Sequence, residues 1–227
     1  MNDADRTYLP AAGYDWALPL YDPLVAVAGG NSTRQTLIEQ GSLRPGHRVL
    51  DIGCGTGSLA VLVKRRHPSV ETVGLDPDAK ALARARRKAR RAGVIVHFDQ
   101  GFADQLPYVD GSFDRVFSSF MFHHLPSNEQ GRTLREVRRV LTSGGRLLLL
   151  DFAGAAAHGH GSFLRLLHAS HEAGEGASAS VLTLLNQAGF QTPRGVREGS
   201  LLFGLVRLHY YEAVADGAGA SGRTSPP

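Results

Sequence analysis

Three glycines alternate with other residues in Gly53-Cys54-Gly55-Thr56-Gly57, just after one aspartate, Asp51, and ahead of another, Asp76. Glycine permits tight turning and lets a ligand lie against bare backbone. A helix opening behind such a loop presents N–H groups with no intrahelical partner. A carboxylate at Asp76 can accept hydrogen bonds from both hydroxyls of a ribose. The dinucleotide fingerprint is G-x-G-x-x-G; here the third glycine comes one place early and Ser58 stands at the sixth position. The pattern therefore points to a nucleoside-containing ligand and away from a dinucleotide. Further along, "FMFHHLP" holds His123 and His124. Imidazole titrates near neutral pH and is suited to general-base work; of the two, His124 is the preferred candidate. Cys54 is the sole cysteine. No basic residue neighbours it in sequence to lower its pKa, so a small packing residue is expected there rather than a nucleophile.

These residues need a scaffold, and the chain alternates elements around them. "HRVLDIG" reads as an apolar strand, "GSLAVLVKRRH" as a helix closed by Pro68, "VETVGLD" as a second strand and residues 78–91 as a helix stopped at Gly93. "VIVHFD" and "SFDRVFSSF" are a third and fourth strand, the latter entered through an Asp110-Gly111 turn. Ser127 and Gln130 suggest a capping box for a helix running to Leu141. Gly144-Gly145 turns into "RLLLLDF", a fifth strand. Residues 35–41 and 180–188 read as further helices, and "FQTPRGV" and "LFGLVRLHYYEAV" as two final strands. Strands separated by helices imply right-handed crossovers and an α/β fold with a parallel sheet. In an open sheet of this kind ligands bind at the carboxyl ends of the strands, where the glycine loop, both aspartates and both histidines fall.

The chain has 227 residues and a formal charge of +4, enough for one domain with a sizeable core. We divide it into an N-terminal cap (1–34), a main domain (35–215) and a disordered tail (216–227), with 154–180 as a wall of the substrate pocket. The apolar run of "RLLLLDFAGAAA" is too short to span a bilayer. The first ten residues lack the regions of a signal peptide, so a cytoplasmic location is expected. Lys80, Arg84, Arg87 and Arg91 share one helix face. Such a stripe can bind an acidic surface, but no aromatic residues interleave it as base stacking requires, and a solvated face is the simpler reading.

"VLDIGCGTG", "GLDPD", "LPYVDGSFDRVFSSFMFHHL" and "REVRRVLTSGGRLLLLDF" together resemble the successive motifs of class I S-adenosylmethionine-dependent methyltransferases, nearest to the small-molecule subgroup that includes the ubiquinone/menaquinone-biosynthesis enzymes. The resemblance covers about residues 45–152. It implies a Rossmann-like, seven-stranded sheet in the order 3-2-1-4-5-7-6 with strand 7 antiparallel, and S-adenosyl-L-methionine as cofactor, leaving S-adenosyl-L-homocysteine. It places Asp51 and the backbone of Gly53, Cys54, Gly55 and Gly57 against the methionyl and ribose portions, Asp76 on the ribose, and Pro77 beside the adenine. Phe102 stands where relatives usually have an aspartate for the adenine amine. The N–H of Ala103 can still donate to the ring, and Asp104 could substitute as acceptor. Ser119 would contact the methionyl amino group. Thr142-Ser143 replaces the usual Lys-Pro and should matter only to the turn.

The expected reaction is in-line methyl transfer to an O, N or C nucleophile of a small molecule. An RNA or protein methyltransferase, or a non-catalytic cofactor-binding protein, is the alternative. The Asp/Asn-Pro-Pro-Tyr/Phe motif of amino-methylating nucleic-acid enzymes is replaced by Ser118-Ser119-Phe120-Met121. Tyr14, Trp16 and Tyr21 could close over the substrate. His158, His160, His168 and His171 have metal-ligand spacing, but the reaction needs no metal and none is expected.

Overall fold

The computed structural model describes residues 31–152, 174–201 and 206–216. Within them five helices flank one seven-stranded sheet. In chain order these are α1 (Asn31–Gln40), β1 (Arg48–Ile52), α2 (Ser58–Arg66), β2 (Glu71–Asp76), α3 (Ala79–Arg91), β3 (His97–Gln100), β4 (Phe113–Ser119), α4 (Ser127–Val140), β5 (Leu141–Phe152), α5 (Gly174–Gln187), β6 (Gln191–Leu201) and β7 (Val206–Val214). A single 3-10 turn, Phe122–His124, follows β4.

The strand order is β3-β2-β1-β4-β5-β7-β6. The pairs from β3 through β5 are parallel, and β7 is antiparallel to both neighbours. Only residues 202–205 separate β6 from β7, too few for the crossover that a parallel return demands. Chain order reverses between β1 and β4, and this switch point opens a crevice at their carboxyl ends.

The strands are apolar on both sides because both faces are covered. Leu50, Ile52, Val116, Leu147 and Leu149 pack with Leu134 and Val137 of α4 and Leu185 of α5. On the other face Val49, Phe117, Leu148, Leu150 and Leu208 pack with Leu37 and Ile38 of α1 and Leu59 of α2. A third cluster joins α2 and α3 to β3 through Ala60, Leu82, Ala85 and Phe98.

Several local expectations shift. α1 starts at Asn31, inside the span read as the cap. β3 begins only at His97 because it is an edge strand, paired with β2 alone; Ile95 lies ahead of it, 76% exposed. The capping box does not form: Pro126 is the N-cap of α4 without a side-chain cap bond, and Gln130 Nε2 donates to the Leu125 carbonyl. α4 runs straight into β5, and the Gly144 turn is tied to the end of β7 by its N–H to the Ala215 carbonyl (2.9 Å). Asp114 accepts from the Arg48 N–H (2.8 Å), fixing the entry of β4 beside β1. The basic stripe on α3 is solvated, with Lys80, Arg87 and Arg91 exposed. Tyr14, Trp16, Tyr21, His158, His160, His168, His171, residues 154–173 of the expected pocket wall and all of the expected tail beyond Asp216 lie outside the described residues. Among the described residues no helix is long and apolar enough to cross a membrane, and no group of three or more His, Cys, Asp or Glu could hold a metal.

Candidate active site

The glycine loop joins β1 to α2 and is pinned from β2. Asp76, the last residue of β2, accepts from the Gly55 N–H at 2.8 Å and from the Asp78 N–H at 2.9 Å, one on each carboxylate oxygen. Burial raises its pKa, and these two backbone donors oppose the rise. Each oxygen keeps a second lone pair for a ligand hydroxyl. Asp78, not Asp76, caps α3, accepting from the Lys80 N–H.

Two of the loop glycines are required by close approach as well as by positive φ. A Cβ on Gly53 (φ +63°) would sit 2.1 Å from Met121 Cγ, and one on Gly57 (φ +74°) 2.7 Å from Ala85 Cβ. Gly57 thus lets α3 close on the loop, while Gly53 admits the Met121 side chain that follows β4. Cys54 is buried, and burial, then the charges of Asp51 and Asp76, push its thiol pKa well up. It packs with Ala60 and Leu82 as a small apolar residue.

Asp51 sits one residue before the end of β1, beside Phe117 of β4 in register. It is buried, and one of its oxygens, Oδ2, has no hydrogen-bond donor. Burial raises its pKa to about 7, against the opposing pull of the Arg34 cation and the Ala60 N–H; the charge of Asp76 adds to the rise. The Ala60 amide lies in the first turn of α2, so Asp51 serves that helix with one oxygen and leaves the other orphaned. Ser119, at the end of β4, likewise has a buried Oγ without a partner. Buried polar atoms in native folds are nearly always satisfied. Ser118 Oγ, beside Ile52 of β1, is a third such atom. Asp51 Oδ2 and Ser119 Oγ, above a loop bare enough for contact, fit the amino-acid arm of S-adenosylmethionine, and Asp76 fits its ribose.

The adenine side is less well provided. Pro77 is half-buried and its carbonyl accepts from Gln100 Nε2 at 3.0 Å. Phe102 and Ala103 are half-buried beyond β3. Asp104 is held by Arg132 of α4, with contacts of 3.1 and 3.0 Å. The expected substitute for an adenine-binding aspartate is therefore an ion-pair partner of α4.

The two histidines differ sharply. His123 Nδ1 lies 2.6 Å from Asp151 Oδ1, and the His123 backbone N–H donates to Asp151 Oδ2 at 2.9 Å. Asp151 is buried at the end of β5, and its Oδ1 also accepts the Phe152 N–H at 2.8 Å. A carboxylate only accepts, so Nδ1 carries a proton, and in the neutral ring that leaves Nε2 as the acceptor. Phe152 packs edge-on against the His123 ring, centroids 5.0 Å apart. The His124 ring lies tilted against that of His123, centroids 4.0 Å apart and planes 41° to each other. Crowding and then the neighbouring His123 lower its pKa, to about 4, although much of its surface is exposed. No described carboxylate hydrogen-bonds it. The geometry thus builds the oriented imidazole at His123, where sequence reading preferred His124. Sequence reading also missed Asp151; the signal was an acid ending an apolar strand, the same signal that marked Asp51 and Asp76.

A profile described as a methyltransferase domain matches residues 49–145. The chain is 44% identical over 119 residues to the demethylmenaquinone methyltransferase of Deinococcus radiodurans, covering 52% of this chain and 48% of that protein. It is 40% identical over 112 residues to the 27-O-demethylrifamycin SV methyltransferase of Amycolatopsis mediterranei, covering 48% and 40%. The chain spans about half the length of the curated relatives it matches. Among solved structures, the YcgJ protein of Bacillus subtilis superposes with a TM-score of 0.65 at 21% identity, over 83% of this chain and 100% of that one.

Proposed function

We propose, from the match of residues 49–145 to a methyltransferase domain and the resemblance to methyltransferases such as that of Deinococcus radiodurans, that the protein is a class I S-adenosylmethionine-dependent methyltransferase that methylates a small-molecule nucleophile that must lose a proton, a hydroxyl or an acidic carbon, with His123 as the base. The observation that carries this is the 2.6 Å contact between His123 and the buried Asp151 at the mouth of the switch-point crevice. Relatives named for demethylmenaquinone and for 27-O-demethylrifamycin support a small organic acceptor, the second at oxygen.

S-adenosylmethionine, when bound, supplies a methyl group on a sulfonium sulfur, already activated for displacement. Asp76 and the loop from Gly53 to Gly57 hold the nucleoside, and Asp51 and Ser119 receive the amino-acid arm. Holding donor and acceptor in line is worth up to about 7–11 kcal/mol of the barrier. His123 Nε2 takes the acceptor's proton. Asp151 keeps the ring in the tautomer that leaves Nε2 free and stabilises the imidazolium that results. Such a base contributes about 10²–10⁴-fold.

The test is transfer of tritiated methyl from S-adenosylmethionine to size-fractionated cell extract, followed by purification of the labelled product. Label should enter the low-molecular-mass fraction, and His123→Ala should lower turnover by about 10²–10⁴-fold with affinity for S-adenosylhomocysteine unchanged. Label in RNA or protein would overturn the acceptor class. Wild-type turnover in the variant would remove His123 as the base.

A further inference from the structure

Lys88 does not belong to the solvated stripe of α3. It is the one lysine among the five arginines of residues 81–91, and it is half-buried. Ala85, one turn earlier on the same helix face, lies where α3 closes on the glycine loop: a Cβ on Gly57 would come within 2.7 Å of the Ala85 Cβ. The Lys88 side chain reaches the loop itself. Its Nζ donates to Thr56 Oγ1 at 3.1 Å and to Ser58 Oγ at 2.6 Å, the two hydroxyls that flank Gly57. A compact ammonium with three donors can serve hydroxyls on two residues, where the planar fork of arginine is shaped for a carboxylate.

The loop needs such a hold. Gly53, Gly55 and Gly57 all have positive φ, and glycine loses more backbone freedom on ordering than any other residue. Gly57 is the N-cap of α2 without a side-chain cap bond. A cation beside a helix N-terminus is electrostatically unfavourable, so support of α2 does not account for the place of Lys88. Its bonds fix the loop from behind. Asp76 of β2 holds the Gly55 N–H at 2.8 Å, Lys88 of α3 holds residues 56 and 58, and the Gly57 N–H closes the turn on the Cys54 carbonyl at 2.8 Å. We propose that Lys88 is a positioning residue for S-adenosylmethionine: it keeps the loop in its binding shape before the cofactor arrives, so that binding does not have to order the chain. It touches the loop and not the reacting atoms, so it acts on cofactor affinity and leaves the methyl-transfer step alone. This rests on the reading of the crevice as the cofactor site.

Hydrogen exchange of the free protein and calorimetric titration with S-adenosylhomocysteine test this together. In Lys88→Met the Gly55 and Gly57 amides should exchange faster, and S-adenosylhomocysteine should bind about 5–30-fold more weakly, the factor that ordering one residue of backbone costs. The KM for S-adenosylmethionine should rise by the same factor while turnover at saturating cofactor is unchanged. Lys88→Arg keeps a charged donor and should recover part of the affinity. Thr56→Val combined with Ser58→Ala removes the same two bonds from the loop side and should behave as Lys88→Met, so the test does not hang on one variant folding. Lys64→Met is the control: Lys64 Nζ donates to the Pro68 and Val70 carbonyls at 2.9 and 2.7 Å, past the far end of α2, and its loss should leave loop exchange and affinity within about twofold. Wild-type exchange and affinity in Lys88→Met, or equal losses in Lys64→Met, would overturn the positioning role while the crevice stands. Failure of the unaltered protein to bind S-adenosylhomocysteine would overturn the crevice reading and the positioning role with it.

Discussion

Asp51→Asn should make the free protein more stable at alkaline pH and a worse cofactor binder. The carboxyl is carried by burial from 3.8 to about 7. A folded-state pKa above the unfolded value means that the folded chain holds the proton more tightly, so this group's contribution to stability is lost as pH rises from about 4 to about 7. Above that window the cost is about 4 kcal/mol. Asparagine removes the charge and keeps an oxygen for the Ala60 N–H, but its amide nitrogen faces the place where Oδ2 now lacks a donor, costing about 1–3 kcal/mol. That cost does not depend on pH. Whatever its size, the stability of the variant relative to wild type should climb by about 3 kcal/mol between pH 4.5 and pH 8. Urea unfolding followed by far-ultraviolet circular dichroism measures the difference, with an unchanged m-value as the check that the unfolded state is the same. Taking the difference cancels other groups, such as His209, whose pKa burial lowers. A difference that is flat with pH, or that falls, would refute the account of Asp51 as a carboxylate kept desolvated for a cation.

Other perturbations bear on neighbouring parts of the site. Asp151→Asn keeps the shape but leaves His123 Nδ1 free to take either tautomer; turnover should fall by about 10²–10⁴-fold while S-adenosylhomocysteine affinity, read by calorimetry, stays within about twofold. Gly53→Ala forces a Cβ to 2.1 Å from Met121 Cγ at φ +63°; a thermal melt should show destabilisation of about 1–3 kcal/mol or more, and Met121→Ala in the same chain should restore part of it. Cys54, with its thiol pKa pushed up by burial, should resist iodoacetamide in the native state at pH 8 and react once unfolded in urea, as mass spectrometry would show; rapid native labelling would mean an open loop.

Much of the fold was legible because its signals are local. Apolar runs carrying an acid at or one residue before their end, Asp51, Asp76 and Asp151, mark the carboxyl ends of three strands, and the strand order followed from the family resemblance of the linked motifs. The illegible parts depend on tertiary partners. Ser127 and Gln130 have the spacing of a capping box, but Gln130 is drawn to the Leu125 carbonyl. Asp104 is placed by sequence near the adenine, and only the packing of α4 shows that Arg132 holds it. His123 and His124 are indistinguishable as letters; they differ in the structure because Asp151, twenty-eight residues on, reaches His123.

A crystal structure with S-adenosylhomocysteine would test the central claim most directly. The nucleoside should lie over the backbone from Gly53 to Gly57, with both ribose hydroxyls on Asp76 and the sulfur facing the His123 side of the crevice. Density for the nucleoside elsewhere, or none at saturating concentration with the crevice accessible, would contradict it.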